Sequence, residues 1–178
     1  MLTFDKTVFQ QGAFRLQVDL SIPPGGVTAL IGPSGAGKST LLHGIAGFVP
    51  QPEGDVRWAD ASLTGLAPEE RPVSMLFQDN NLFPHLTAIQ NVALALAPRL
   101  WPSLADRKTA EAMLARVGLG DLSDRKPGAL SGGQQSRVAL ARALLQDRPI
   151  LLLDEPFGAL GPKLKAEMLD LTVQLAEG

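Results

Sequence analysis

Residues Gly32 to Thr40 read GPSGAGKST, and this stretch decides the fold. It matches G-x-x-x-x-G-K-[ST], a loop whose backbone N–H groups turn toward a phosphate. Glycines let the chain curl through conformations that other residues resist, so successive N–H groups can face one anion. The positions that would hold the phosphates are Gly32, Pro33, Ser34, Gly35, Ala36, Gly37, Lys38, Ser39 and Thr40. Lys38 adds a point charge for the β- and γ-phosphates, the Ser39 hydroxyl is a ligand for Mg²⁺, and Thr40 can bond phosphate. The flanks agree. VTALIG (27–32) reads as a fully buried strand and KSTLLHGIAGF (38–48) as a helix. That strand–loop–helix order separates the motif from a chance glycine-rich turn.

Working outward, FRLQVDLSI (14–22) alternates, with Phe14, Leu16, Val18, Leu20 and Ile22 on one face. This predicts a half-buried strand antiparallel to a neighbour. LTFDKTVF (2–9) is a weaker strand candidate, PPGG (23–26) a turn and DVRWAD (55–60) a short strand. VSMLFQ (73–78) and PILLLDE (149–155) are short apolar runs, each ending in a polar residue. Such runs fit central strands that carry functional groups at their ends. Asp154 fits a Mg²⁺ ligand and the adjacent Glu155 a group that polarises an attacking water. Gln78 ends its own strand, where its amide can reach Mg²⁺ or that water.

From Gln78 to Pro149 the texture becomes helical. AIQNVALALA, LADRKTAEAMLARVGL and GQQSRVALARALLQD have helical spacing, punctuated by Gly and Pro. LSGGQQ (130–135) leads into the last of these. A serine N-cap followed by two glycines leaves bare N–H groups in front of a helix, which makes a second phosphate cradle. The final stretch, PKLKAEMLDLTVQLAEG, predicts an amphipathic helix with Leu164, Met168, Leu171 and Leu175 on one side.

Bulk properties narrow the classes. The chain has 178 residues, of which 45% are hydrophobic and 19% charged, as in globular proteins. A net charge of −2 gives no field for nucleic acid or an anionic membrane. Cysteine is absent, which excludes a disulfide framework and a thiolate metal site. The N-terminal MLTFDKTVFQ lacks the pattern of a signal peptide, and the apolar runs VALALA and ILLL are too short to span a bilayer. A partner must hold the protein at any membrane it serves.

Taken together, GPSGAGKST, Gln78, LSGGQQ, ILLLDEP and FGALG stand in the order found in nucleotide-binding subunits of ABC transporters, and the chain resembles that family from Leu2 to its last helix. No NKxD motif of the GTPase switches is present. The resemblance implies an α/β P-loop NTPase core with N-terminal antiparallel strands and an inserted helical subdomain. It places residues 1–88 and 146–178 in the core and 89–145 in the helical subdomain, the core being cut short at its C-terminal end. It further implies ATP and Mg²⁺ as cofactors, with Ser39, Gln78 and Asp154 on the metal and Glu155 and Gln78 catalytic. Ser131, Gly132, Gly133 and Gln134 would act in trans, closing over the γ-phosphate held by a second copy in a head-to-tail dimer. A cradle aimed at a charge present in ATP and lost from ADP is a switch.

The wording ERPVSMLFQDNNLFPHLT, SGGQQSRVALARALL and RPILLLDEPFGAL is closest to ATPases of bacterial thiamine importers. Asp79 to Thr87 would then grip a transmembrane permease at the cytoplasmic face of the inner membrane, with an extracytoplasmic substrate-binding protein on the far side. Other cargoes (an ion, a polyamine, another vitamin), a soluble ABC ATPase and a weakly hydrolysing nucleotide-binding module are the alternatives. Three departures stand out. The family's histidine beyond the Walker B glutamate has no counterpart, since His43 and His85 both lie upstream. Gly161 replaces an aspartate that couples the two sites. The chain has no tyrosine to stack on adenine, leaving Phe9, with Phe14 as the alternative and Gln11 nearer the family position.

Overall fold

A computed structural model describes residues 1–158 and 160–177. Two compact units divide it, Met1–Val73 and Ser74–Gly178.

The first unit is built on a hairpin. Strands β1 (Leu2–Gln11) and β2 (Phe14–Ile22) pair antiparallel from Leu2↔Ile22 to Gln11↔Phe14. Gly12 turns the chain between them at φ 59°, a left-handed value that glycine adopts without strain. Strand β3 (Glu53–Trp58) pairs with the other edge of β1, and the two-residue β4 (Ala61–Ser62) completes the order β2-β1-β3-β4. The expected antiparallel N-terminal strands are therefore present. Helix α1 (Lys38–Ala46) lies on β1, where the Phe9 ring sits so close to Gly44 that a Cβ there would come within 2.4 Å of it.

Two readings need correction. Alternation correctly marks β2 as a strand, but only Val18 of its apolar face is buried, while Phe14 and Leu20 are exposed. Burial needs a covering layer, and α1 covers β1. VTALIG forms no strand in the described residues: Val27 and Ile31 are 76% and 91% exposed, and no strand pairs with them. Apolar composition gives a run strand character, but the ladder requires a neighbour in register.

Strand β5 (Val73–Leu76), which enters the second unit at Ser74, and β6 (Ile150–Leu153) form a two-stranded sheet. Helices α2 (Ala88–Ala93), α3 (Leu104–Arg116) and α4 (Gly132–Leu145) share one apolar cluster that includes Ile89, Val92, Leu114 and Val138. A second cluster joins Leu76, Leu140, Phe157 and Met168, bringing in α5 (Pro162–Glu177). Helix α4 contributes to both clusters, which explains its apolar residues all round. On α5, Met168 is buried and Leu171 and Leu175 pack against the first cluster, as the amphipathic spacing predicts. Thr87, Ser103 and Ser131 each cap a helix and exchange hydrogen bonds with the residue three further on. Each such cap stabilises by roughly 1 kcal/mol.

Candidate nucleotide site

In the first unit the loop before α1 has the shape its glycines foreshadow. Gly35 and Gly37 stand at φ 79° and 92°, both left-handed. Gly37 is constrained twice, because a Cβ there would also come within 3.0 Å of the Phe14 ring. The Lys38 ammonium folds back over the loop. Its Nζ donates to the carbonyl oxygens of Gly32 at 2.9 Å and Pro33 at 2.8 Å. The loop is thus held closed by the cation that an incoming phosphate would recruit, and the N-terminal end of α1 carries the positive end of the helix dipole.

At the opposite end of α1, Arg71 is buried. Its Nη1 donates to the carbonyls of Gly44 and Ile45, both at 2.9 Å, and its Nε to Leu66 at 3.2 Å. Burial lowers the affinity of its guanidinium for the proton. These bonds offset that desolvation and close the carbonyl end of the phosphate-loop helix.

In the second unit the backbone N–H of Asp154 donates to the Leu76 carbonyl at 3.1 Å. This bond brings the ends of β5 and β6 side by side, so the chain leaving β5 toward Gln78 starts next to Asp154. Glu155 is exposed and stands at φ 45°, a left-handed conformation that costs a non-glycine residue about 1 kcal/mol. A strained, exposed carboxylate at a strand end is a candidate base or water-polarising group.

The turn at Ser131 is the serine-capped helix start predicted for it. Ser131 Oγ accepts from the Gln134 N–H at 3.3 Å, and Gln134 Oε1 accepts from the Ser131 N–H at 2.9 Å. Gln134 therefore spends its side chain on the cap. Gly132 is exposed, and its N–H and that of Gly133 belong to the first helical turn, which has no intrahelical acceptors. Gly133 carries a second constraint that the sequence does not reveal. A Cβ there would come within 2.7 Å of Leu164 Cδ2 on α5.

Phe9 does not fit the role of adenine-stacking residue. It is 0% exposed, edge-on to Phe4 with ring centroids 6.5 Å apart, and pressed on Gly44, so neither ring face is free. The exposed aromatic beside the phosphate loop is Phe14, at 41% exposure against Gly37. Position along the strand could not separate the two, because which face α1 covers is a tertiary matter.

Other residues escape the sequence reading. Asn91 is buried, and its side-chain amide bonds both backbone polar groups of Phe83 and the carbonyls of Leu86 and Thr87, fixing the loop 83–87. Arg142 binds two carbonyls of the turn after Gln78. Its signal was a lone cation inside the apolar run VALARALL.

A phosphate loop before a helix, a strained carboxylate after a strand and a second glycine-bearing helix start define a P-loop nucleotide-binding protein. Comparison narrows the class. Residues 16–158 match the ABC transporter family. A thiamine import ATP-binding protein, ThiQ, of Ruegeria sp. is 56% identical over 175 residues, covering 98% of this chain and 76% of that one. ThiQ of Haemophilus influenzae strain Rd is 50% identical over 177 residues, covering 99% and 82%. Among solved structures, the dimeric ATP-binding cassette MJ0796 bound to ADP and Pi superposes with a TM-score of 0.82 at 33% identity, covering 99% of this chain and 83% of that one. The ADP conformation of the cassette MJ1267 gives 0.85 at 28% identity, covering 99% and 77%. This chain belongs to the ABC transporter family, as its ATP-binding, ATP-hydrolysing subunit.

Proposed function

We propose that this chain energises thiamine uptake by a bacterial ABC importer, working as a head-to-tail dimer beneath a transmembrane permease that receives cargo from an extracytoplasmic binding protein. The cargo rests on similarity, along nearly all of this chain, to thiamine import ATP-binding proteins at 56% and 50% identity. Position at the cytoplasmic face of the inner membrane rests on the same similarity. Among the described residues no helix is long and apolar enough to cross a membrane. Helices α2, α3 and α4 share one apolar cluster, which supports reading 89–145 as one subdomain, although Leu171 and Leu175 of α5 also pack against it.

ATP would place its phosphates on the N–H groups of Gly32 to Thr40, with Lys38 exchanging its two carbonyl partners for phosphate oxygens. Ser131 to Gln134 of the second copy would close over the γ-phosphate, and Phe14 is the aromatic available to the base. Mg²⁺ would be held by Ser39, Gln78 and Asp154. Hydroxyl, amide oxygen and carboxylate are the hard donors that this ion accepts beside phosphate. Held there, Mg²⁺ would supply positive charge against that developing on the phosphates. Glu155 and Gln78 orient and polarise the attacking water, a contribution of ~10²–10⁴ in rate.

Uptake of labelled thiamine by cells carrying the wild-type chain, the Lys38→Ala variant or a deletion tests this function. Uptake restored by the wild type alone supports it. Uptake untouched by deletion, with loss of another cargo, overturns the assignment.

A further inference from the structure

Two successive residues after Gln78 hold left-handed backbone conformations: Asn80 at φ 57° and Asn81 at φ 45°. Single asparagines visit this region, but two in a row need support. The turn supplies some itself. The Asn80 N–H donates to Phe77 at 3.1 Å and the Asn81 N–H to Asp79 at 2.6 Å. The remaining support comes from outside. Arg142, in the body of α4, donates from Nη2 to the Asn80 carbonyl at 3.0 Å and from Nη1 to the Asn81 carbonyl at 2.9 Å. One planar fork thus grips two consecutive carbonyls, a geometry that lysine cannot reproduce. Arg142 is half-buried, and burial lowers the affinity of its guanidinium for the proton, so its hydrogen bonds offset a desolvation cost.

The position of this contact gives it meaning. Ser131 caps the helix that carries Arg142, and Gln78 lies two residues before the gripped turn. We propose that Arg142 is a positioning residue: it latches the turn after Gln78 onto α4, so that the Gln78 backbone and the Ser131 helix move as one piece. This deepens the function proposed above and rests on its roles for Gln78 and Ser131. A side chain that merely filled space at position 142 would be replaced by methionine without loss. A latch would not.

Hydrogen exchange of the full chain without nucleotide, with ATPase kinetics in parallel, tests the latch. In Arg142→Met, amides of residues 78–82 are expected to exchange about tenfold faster while the α4 amides keep their protection. The kcat is expected to fall about tenfold with the KM for ATP within about twofold, since a misplaced Gln78 affects the chemical step more than binding. Arg142→Lys, which keeps the charge but not the fork, should fall between the two, and it decides the matter if the methionine variant fails to fold. Unchanged exchange in the turn overturns the latch, as does uniform loosening of α4 or a normal kcat with a loosened turn. The exchange arm needs no ATP. A wild-type chain without ATPase activity would therefore count against the proposed function, while exchange still decides the latch.

Discussion

Lys38 Nζ donates to the Gly32 carbonyl oxygen at 2.9 Å, so the phosphate loop closes on its own cation. Nucleotide must displace this bond and replace it with charge-assisted ones, worth ~1.5–3 kcal/mol each. Lys38→Ala is expected to weaken ATP binding by roughly ten- to a hundredfold. The melting temperature should hold, because the two bonds lost are exposed. Calorimetric titration checks this, and unchanged affinity would remove Lys38 from the site.

A Cβ at Gly133 would come within 2.7 Å of Leu164 Cδ2, so a side chain there requires Leu164 to move. Gly133→Ala is expected to destabilise the chain by about 1–2 kcal/mol as Leu164 shifts. Leu164→Ala in the same chain should recover part of that loss, and a double-mutant cycle measured by urea unfolding reads the coupling. Additive effects would show that α4 and α5 are not in contact there.

Asp55 is held down to about 2 from the ordinary 3.8, first by hydrogen bonds from the Ser62 and Thr64 hydroxyls and then by Arg57. The folded chain thus keeps this carboxylate ionised where the unfolded chain protonates it. Its stabilisation is present above pH 3.8 and is lost as pH falls toward 2. Asp55→Asn should flatten the decline of unfolding midpoint across that window. An unaltered pH profile would contradict the pairing.

Gly161 has open space around its Cα, and its carbonyl accepts the Lys165 N–H at 2.9 Å, making it the cap before α5. Gly161→Asp restores a carboxylate where the family resemblance expects one and caps the helix. It is expected to stabilise by ~0.3 kcal/mol, read as a small rise in melting temperature. A fall would mean that the glycine is sterically required.

Where the sequence was legible, the physics was local. Gly32 to Thr40 specify a turn and a helix start within a few residues, and Ser131 with Gln134 form a cap within one turn. Alternation marks β2 as a strand with an antiparallel neighbour, and the structure supplies β1 as that neighbour. Where it was not, a distant neighbour decides. Phe9 and Phe14 look alike until α1 covers one of them, and Val27 to Ile31 have strand composition but form no strand among the described residues. The two carbonyls that Arg142 binds lie sixty-odd residues away, so its partners are a tertiary matter.

The most direct measurement is light scattering of the Glu155→Gln variant, which should hold ATP without consuming it. A cradle at Ser131 acting in trans requires that ATP, and not ADP, convert this variant from monomer to dimer, and that adding Ser131→Arg abolish the dimer. A monomer that binds ATP at full affinity, or a dimer indifferent to Ser131→Arg, would contradict a nucleotide site shared between two copies.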